Sequence, residues 1–152
     1  MSFRLTTPAF AEGAPIPRLH TCEGAGLSPA LEWSGEPPGT RSFVLIVDDP
    51  DAPGGVWNHW LLWDIPAAVH SLPQGFGAGQ AGESGTNDFG RLGYGGPCPP
   101  KGHGPHRYYF RLHALDLASL GLQRGAGRAA LDRALKGHVL GATACMGRYE
   151  RK

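Results

Sequence analysis

The chain has 152 residues, 41% of them hydrophobic and 18% charged, which predicts one domain over residues 1–152 with a core of its own. The formal net charge is +1 and the basic residues are scattered, so no field that would attract nucleic acid or an anionic membrane is expected. The 24 glycines and 14 prolines indicate many turns and favour a mainly β fold over a helical one.

Two features bear on the compartment. The segment from Met1 to Leu5 lacks an apolar signal core, and no apolar run approaches the roughly 20 residues of a membrane span. Cys22, Cys98 and Cys145 are odd in number and form no CxxC pair, which is typical of reduced thiols rather than of a disulfide framework or a zinc site. We therefore expect a cytoplasmic protein with three free thiols and no insertion into membranes.

Three apolar runs predict the strands that carry the fold. Ser42 to Val47 is continuous and rich in β-branched residues, which is typical of a central strand buried on both faces. Trp60 to Ile65 is a second run, ended by Pro66, and Arg107 to Leu115 is a third with visible alternation.

The remaining elements are shorter. Ser2 to Thr7 and Thr143 to Tyr149 are candidate strands, and Ala126 to Leu140 has the spacing of one amphipathic helix that Gly141 could end. Strands precede the helix without βαβ alternation, so the predicted architecture is a β-sandwich with a few short peripheral helices.

Side chains alternate between the two faces of a strand, which separates the polar residues of the third run. His106 and Tyr108 share the apolar face, whereas Arg107 lies on the opposite face. The apolar face therefore ends at two polar side chains, and a pocket is expected there.

Two further polar residues end apolar faces in the same way. Asp49 continues the face of Phe43, Leu45 and Val47, and His59 is predicted to begin the face of Leu61, Trp63 and Ile65. A single connection joins Asp49 to His59, so antiparallel pairing would place both at the end of the sheet that His106 reaches.

These residue types suit an anion. The glycine-rich loop from Gly93 to Pro100 could offer unobstructed backbone N–H groups, and two imidazoles add donors. Asp49 would repel an anion, so it is expected to accept from a histidine ring. Asp51 and Arg107 are predicted to pair as a structural clip away from the pocket.

Several segments together resemble one known family. The stretch Asp49-Pro50-Asp51-Ala52-Pro53 is followed by Trp57-Asn58-His59-Trp60, then by the Gly93 to Pro100 loop and by His106-Arg107-Tyr108. Ser28 to Trp33 and Asn87 to Gly90 add to the likeness. The chain thus resembles the phosphatidylethanolamine-binding protein family, in its bacterial Raf-kinase-inhibitor-like branch.

The resemblance implies a sandwich of two antiparallel sheets and a pocket for phosphate, acetate or a phospholipid head group. It also suggests a homodimer. Matched residue by residue, the implied ligand-binding set is Asp49, Ala52, Pro53, Trp57, His59, Gly96, His106 and Tyr108.

Three functions remain open at this point. The first is a regulatory or inhibitory module that binds a small anion or phospho-group without turnover and needs no cofactor; its affinity should fall as imidazoles lose their charge near neutral pH. The second is a metal-dependent hydrolase or lyase, because Asp49, Asp51, His59, His103 and His106 are all possible ligands. The third is a macromolecular inhibitor of a kinase or a protease.

Overall fold

Two antiparallel sheets face one another in the computed structural model, which describes residues 2–77 and 80–152. In chain order the strands are β1 (Arg4–Thr6), β2 (Leu31–Ser34), β3 (Ser42–Asp49), β4 (Trp57–Pro66), β5 (Ser71–Leu72), β6 (Glu83–Ser84), β7 (His106–Leu115) and β8 (Val139–Tyr149). The smaller sheet has the order β1-β2-β5 and the larger one β6-β4-β3-β7-β8. A 3₁₀ turn at Arg18–His20 and the helix α1 (Arg128–Leu135) lie outside the sheets, which confirms the predicted mainly β sandwich.

Strand β3 lies at the centre of the larger sheet, and all eight of its residues are buried. Phe43, Leu45 and Val47 pack between the two sheets, whereas Val44 and Ile46 pack on the other side, against α1. Each such buried aliphatic or aromatic side chain contributes about 1.5–3 kcal/mol. The continuous apolar run is thus explained by a strand covered on both faces.

The helix is shorter than predicted, and the last strand is longer. Gly137 adopts a positive φ of 84°, the left-handed conformation in which helices commonly terminate and which glycine takes without strain. Val139 and the residues after it therefore pair with β7, where Val139 lies opposite Leu115. Gly137, and not Gly141, therefore ends the helix that was predicted over residues 126–140.

Strand β4 carries one extra residue beside its partner β3. Trp60 lies opposite Val47 and Asn58 lies opposite Asp48, which leaves His59 without a counterpart. Such a β-bulge reverses the alternation of side chains on either side of it. His59 therefore points to the same side as Trp60.

For this reason the prediction that His59 shares a face with Leu61, Trp63 and Ile65 is wrong for Leu61 and Trp63. Leu61 and Trp63 pack toward α1, whereas Ile65 packs between the sheets. A second irregularity of the β3–β4 pairing, at Asp64 with φ 57°, separates Trp63 from Ile65. The two irregularities cancel between His59 and Ile65, which therefore face the same side.

The prediction of three reduced thiols is also wrong. Cys22 and Cys98 form a disulfide, with their Cα atoms 5.4 Å apart, while Cys145 is free and buried. The Cys22 N–H donates to the carbonyl oxygen of Pro97 at 3.1 Å, so the two segments are already aligned by the backbone. A separation of 76 residues conceals this proximity in the sequence.

None of the helices described for this chain has both the length and the apolar character needed to cross a membrane.

Candidate functional site

A cavity of about 230 Å³ opens at the end of the larger sheet, where β3 ends and where β4 and β7 begin. Polar groups are few among the residues that line it, which are Asp49, Ala52, Pro53, Trp57, His59, Phe89, Cys98, Pro99, Pro100, His106 and Tyr108.

Asp49 and His106 form a buried pair in the cavity wall. Asp49 Oδ2 lies 2.6 Å from His106 Nδ1, and the two side chains are only 3% and 2% exposed. The other carboxylate oxygen, Oδ1, accepts from the Asp51 N–H at 2.8 Å. An ionised carboxylate can only accept, so His106 Nδ1 carries a hydrogen and donates.

The second nitrogen of His106 is also engaged. Its Nε2 lies 2.6 Å from Nδ1 of His103, an exposed residue of the loop before β7. Carboxylate, buried imidazole and exposed imidazole thus form one continuous hydrogen-bonded chain. This chain runs from Asp49, the last residue of β3, to solvent.

His59 is fixed by a backbone carbonyl. Its Nδ1 lies 2.7 Å from the oxygen of Gly95 and therefore donates, which leaves Nε2 as the atom whose proton can come and go. Burial lowers the pKa of His59, although the Gly95 carbonyl and the nearby charge of Asp49 oppose the shift. The rings of Phe89 and Tyr108 meet the imidazole edge to face, with centroids 5.3 and 5.2 Å away.

Tyr108 contributes a buried hydroxyl that has no hydrogen-bond partner among the described residues. The residue is 1% exposed, and burial together with the charge of Asp49 raises the pKa of its phenol far above the ordinary value. The hydroxyl therefore stays protonated and able to donate. A buried polar group without a partner costs about 1–3 kcal/mol, which makes such a group in a cavity wall a sign of a ligand.

Two N–H groups of the glycine loop already have protein partners. The N–H of Gly93 donates to Gly85 at 3.4 Å and that of Gly95 donates to His59 at 2.8 Å, so neither is available to an anion. A Cβ atom on Gly95 would lie 2.5 Å from the Phe89 ring. The glycine permits close packing of the loop instead of donating to a ligand.

Asp51 and Arg107 adopt the geometry that the sequence suggested for them. Arg107 Nε donates to Asp51 Oδ2 at 2.9 Å and Nη2 donates to Oδ1 at 2.8 Å, and the Arg107 N–H adds a third bond. The hydrogen bonds from Arg107 lower the pKa of Asp51 to about 2. Both side chains lie outside the cavity lining.

Seven of the eight residues predicted to bind a ligand line the cavity. Gly96 does not, since it packs against the 3₁₀ turn, where a Cβ atom would lie 2.5 Å from the carbonyl oxygen of His20. Its predicted role in ligand binding stays a prediction.

Sequence reasoning assigned no role to Phe89, Cys98, Pro99 and Pro100, which complete the lining. The last three belong to the loop already singled out. Phe89 follows Asp88, whose carboxylate accepts from the Asn58 N–H at 2.6 Å while its own N–H donates to the Asn58 oxygen. This reciprocal pair holds Phe89 beside Trp57, and the Asn87 to Gly90 stretch was the available signal.

Within residues 2–77 and 80–152 no three His, Cys, Asp or Glu side chains are grouped as ligands for a metal ion. Asp49, His103 and His106 are hydrogen-bonded to one another, and Asp51 is bonded to Arg107. This arrangement does not favour the metal-dependent hydrolase or lyase.

Comparison with known proteins agrees with the fold. The family model described as phosphatidylethanolamine-binding protein matches residues 6–150. A UPF0098 protein of Aquifex aeolicus is 46% identical over 94% of this chain and 85% of its own length.

Two solved structures are similar over 99% of both chains. One is a phosphatidylethanolamine-binding protein homologue from Chlamydia trachomatis, with a TM-score of 0.91 and 38% identity. The other is YbcL of E. coli, described as a member of the mammalian PEBP family, with a TM-score of 0.93 and 36% identity.

Proposed function

The chain belongs to the phosphatidylethanolamine-binding protein family, and we propose that it binds a small anion attached to an apolar group, such as a phosphate ester, without turnover. Binding would serve a regulatory or inhibitory role. Asp49, Ala52, Pro53, Trp57, His59, His106 and Tyr108 are the proposed contacts, joined by Phe89.

The Tyr108 hydroxyl carries this proposal. It is a protonated donor in the cavity wall with no protein partner among the described residues, and an anionic oxygen would satisfy it. The imidazole of His59 meets the Tyr108 ring edge to face. Its Nε2 becomes a second donor once it is protonated. The Tyr108 hydroxyl is a neutral donor, and His59 becomes positively charged when Nε2 takes up its proton. Together they suit a ligand with one or two negative charges.

The apolar part of the ligand follows from the rest of the lining. Trp57 is 37% exposed and meets the Phe89 ring at 5.5 Å between centroids, which gives the cavity an aromatic side. Pro53, Pro99 and Pro100 cover further wall. Inorganic phosphate alone would leave these surfaces in contact with water.

The lining also supports binding without turnover. It contains no serine, threonine or lysine, its Cys98 is held in a disulfide, and Asp49 is engaged with His106. No serine, threonine, lysine or free cysteine is therefore available as a nucleophile among these residues.

Calorimetric titration with phenyl phosphate and with inorganic phosphate tests the proposal. We expect phenyl phosphate to bind more tightly, and Phe89→Ala to reduce that advantage roughly two- to tenfold. Tyr108→Phe, which removes only the hydroxyl, should weaken both ligands about tenfold or more. Incubation with p-nitrophenyl phosphate should release no nitrophenol, with or without added divalent metal.

Tyr109→Phe is the matched control. Tyr109 follows Tyr108 on the opposite face of β7, where its hydroxyl accepts from Arg107 at 3.3 Å, so its removal should leave both affinities unchanged. Equal losses in the two variants, or undetectable binding of both phosphates to the native protein, would contradict the proposal. Nitrophenol release that requires metal would favour the hydrolase instead.

The partners and the compartment expected from the sequence stay predictions. A cytoplasmic location would have to accommodate the Cys22–Cys98 disulfide, because thiols there are usually kept reduced. Thiol trapping in intact cells, followed by mass spectrometry, addresses this point. Sedimentation would test for a homodimer, and co-purification would test for an inhibited kinase or protease.

A further inference from the structure

The hydrogen-bond chain from Asp49 to His103 extends beyond the cavity. His106 lines the cavity, but His103 does not, and the two imidazoles are joined by a 2.6 Å bond between His106 Nε2 and His103 Nδ1. A bond between two ring nitrogens needs one proton and one lone pair. The pair can therefore exist with the shared proton on either ring.

The position of that proton follows from Asp49. His106 Nδ1 donates to the carboxylate, so a neutral His106 presents a lone pair at Nε2, and His103 Nδ1 then donates to it. When one more proton arrives, the exposed Nε2 of His103 can accept it. The proton already at His103 Nδ1 then passes to His106 Nε2.

The transfer adds one proton to the pair of imidazoles. One proton enters from solvent, His103 ends neutral with its hydrogen on Nε2, and His106 ends as an imidazolium that donates to both Asp49 and His103. The net result is one positive charge added to the cavity wall. No group needs to enter the cavity to supply it.

The loop around His103 leaves its outer edge in solvent. His103 is exposed and lies between Gly102 and Gly104, which have φ values of 73° and 87°. Its N–H donates to the Pro100 carbonyl at 3.2 Å, which holds the turn in place. The ring thus connects buried His106 to water.

We propose that His103 is a positioning residue of the anion site, through which His106 takes up a proton from solvent when an anion binds. This inference rests on the proposed function. The charged and titratable groups that face His106 are His103, to which it is bonded, Asp49 from β3, Asp51 from the β3–β4 connection, His59 from β4, Tyr108 on its own strand β7, and Tyr149 of β8, which lies directly opposite it. Asp49 and Asp51 favour the imidazolium, whereas a protonated His59 would oppose it.

The test compares the pH dependence of inorganic phosphate binding in His103→Ala and His103→Asn. Removing the bond to His106 should move the decline in affinity to lower pH by about half a unit to one unit, because a hydrogen bond to the charged ring is lost. Asparagine carries an acceptor oxygen near the position of Nδ1 and should restore part of the shift. Repeating the titrations in two buffers of different ionisation enthalpy should show reduced proton uptake in the alanine variant.

His138→Ala is the matched control, since His138 is a partly exposed histidine with one side-chain bond, to Asp116 at 2.9 Å. It should leave the profile unchanged. If His103→Ala binds phosphate with the native pH profile, or if the asparagine variant behaves like the alanine variant, the inference is wrong while the proposed function stands. If the native protein binds no phosphate at any pH, the proposed function itself fails.

Discussion

The disulfide between Cys22 and Cys98 joins the 3₁₀ turn to the loop that forms one wall of the cavity. Cys22 is exposed and Cys98 is partly buried, so solvent reaches one end of the bond. The same loop packs around Gly96, which touches the backbone of His20 and Thr21. The covalent link therefore reinforces a contact that holds the cavity wall in place.

Cys22→Ser should lower the free energy of unfolding by about 2–5 kcal/mol, because the disulfide closes a long segment of chain and restricts the unfolded state. Urea unfolding of the native protein should show the same loss on addition of a thiol reductant. The variant serves as its own control, since reductant should not change it further. Denatured native protein should titrate as one thiol without reductant, from Cys145, and as three with it; three in both conditions would contradict the disulfide.

Tyr108→Phe should raise the free energy of unfolding of the ligand-free protein by about 1 kcal/mol, while it weakens anion binding. The variant removes a buried hydroxyl that has no partner among the described residues, and replacing such a group by an apolar atom removes its desolvation penalty. Thermal and urea unfolding without phosphate measure the effect. A destabilised Tyr108→Phe protein would show that the hydroxyl has a partner within the native fold.

Much of the sandwich could be predicted from local patterns. The β3 run is apolar at every position because it is covered on both faces, and β7 alternates because one face meets helix and solvent. His106 and Tyr108 could be assigned to the cavity because no irregularity interrupts their strand before the core. Their neighbour Arg107 takes the other face for the same reason.

The remainder depends on contacts that a single sequence does not contain. His59 reaches the cavity only through a β-bulge, and the bulge is visible only in the pairing with β3. The Cys22–Cys98 bond and the packing of Phe89 join segments far apart in the chain. Which glycine amides are free depends on carbonyl partners such as Gly85, which the loop itself does not reveal.

Arg107→Ala should return the pKa of Asp51 from about 2 toward the ordinary aspartate value. Because the pairing lowers the folded pKa, its stabilisation is present above the unfolded value near pH 4 and is lost as the pH falls toward 2. The Arg107→Ala protein should therefore not show this acid-dependent loss of stability. A carboxyl ¹³C NMR titration of both proteins measures the pKa of Asp51. Arg124→Ala, which removes an exposed pair with Glu83, should leave that pKa unchanged.

His59 should make the ligand-free protein sensitive to acid. Burial lowers its pKa in the folded state, so below the unfolded value of about 6.5 the unfolded chain binds the proton more readily. The stability is therefore complete above that pH and falls as the pH decreases through it, until the folded histidine is also protonated. His59→Gln should remove this part of the decline in unfolding experiments across the acid range.

An anion in the cavity should reverse the effect, because its charge stabilises the His59 imidazolium at Nε2. Phosphate should accordingly raise the midpoint of thermal unfolding more at about pH 5.5 than at about pH 8, and its own affinity should decline as the pH rises. His113 provides the comparison: burial and then the charges of Arg128 and Arg111 lower its pKa too, but it lies on the opposite face of β7. His113→Gln should reduce acid sensitivity and keep the pH-dependent protection by phosphate, whereas His59→Gln should keep only the part of that protection that His106 contributes. If both variants are protected alike, His59 does not contact the anion, and the Tyr108 hydroxyl is the donor that remains.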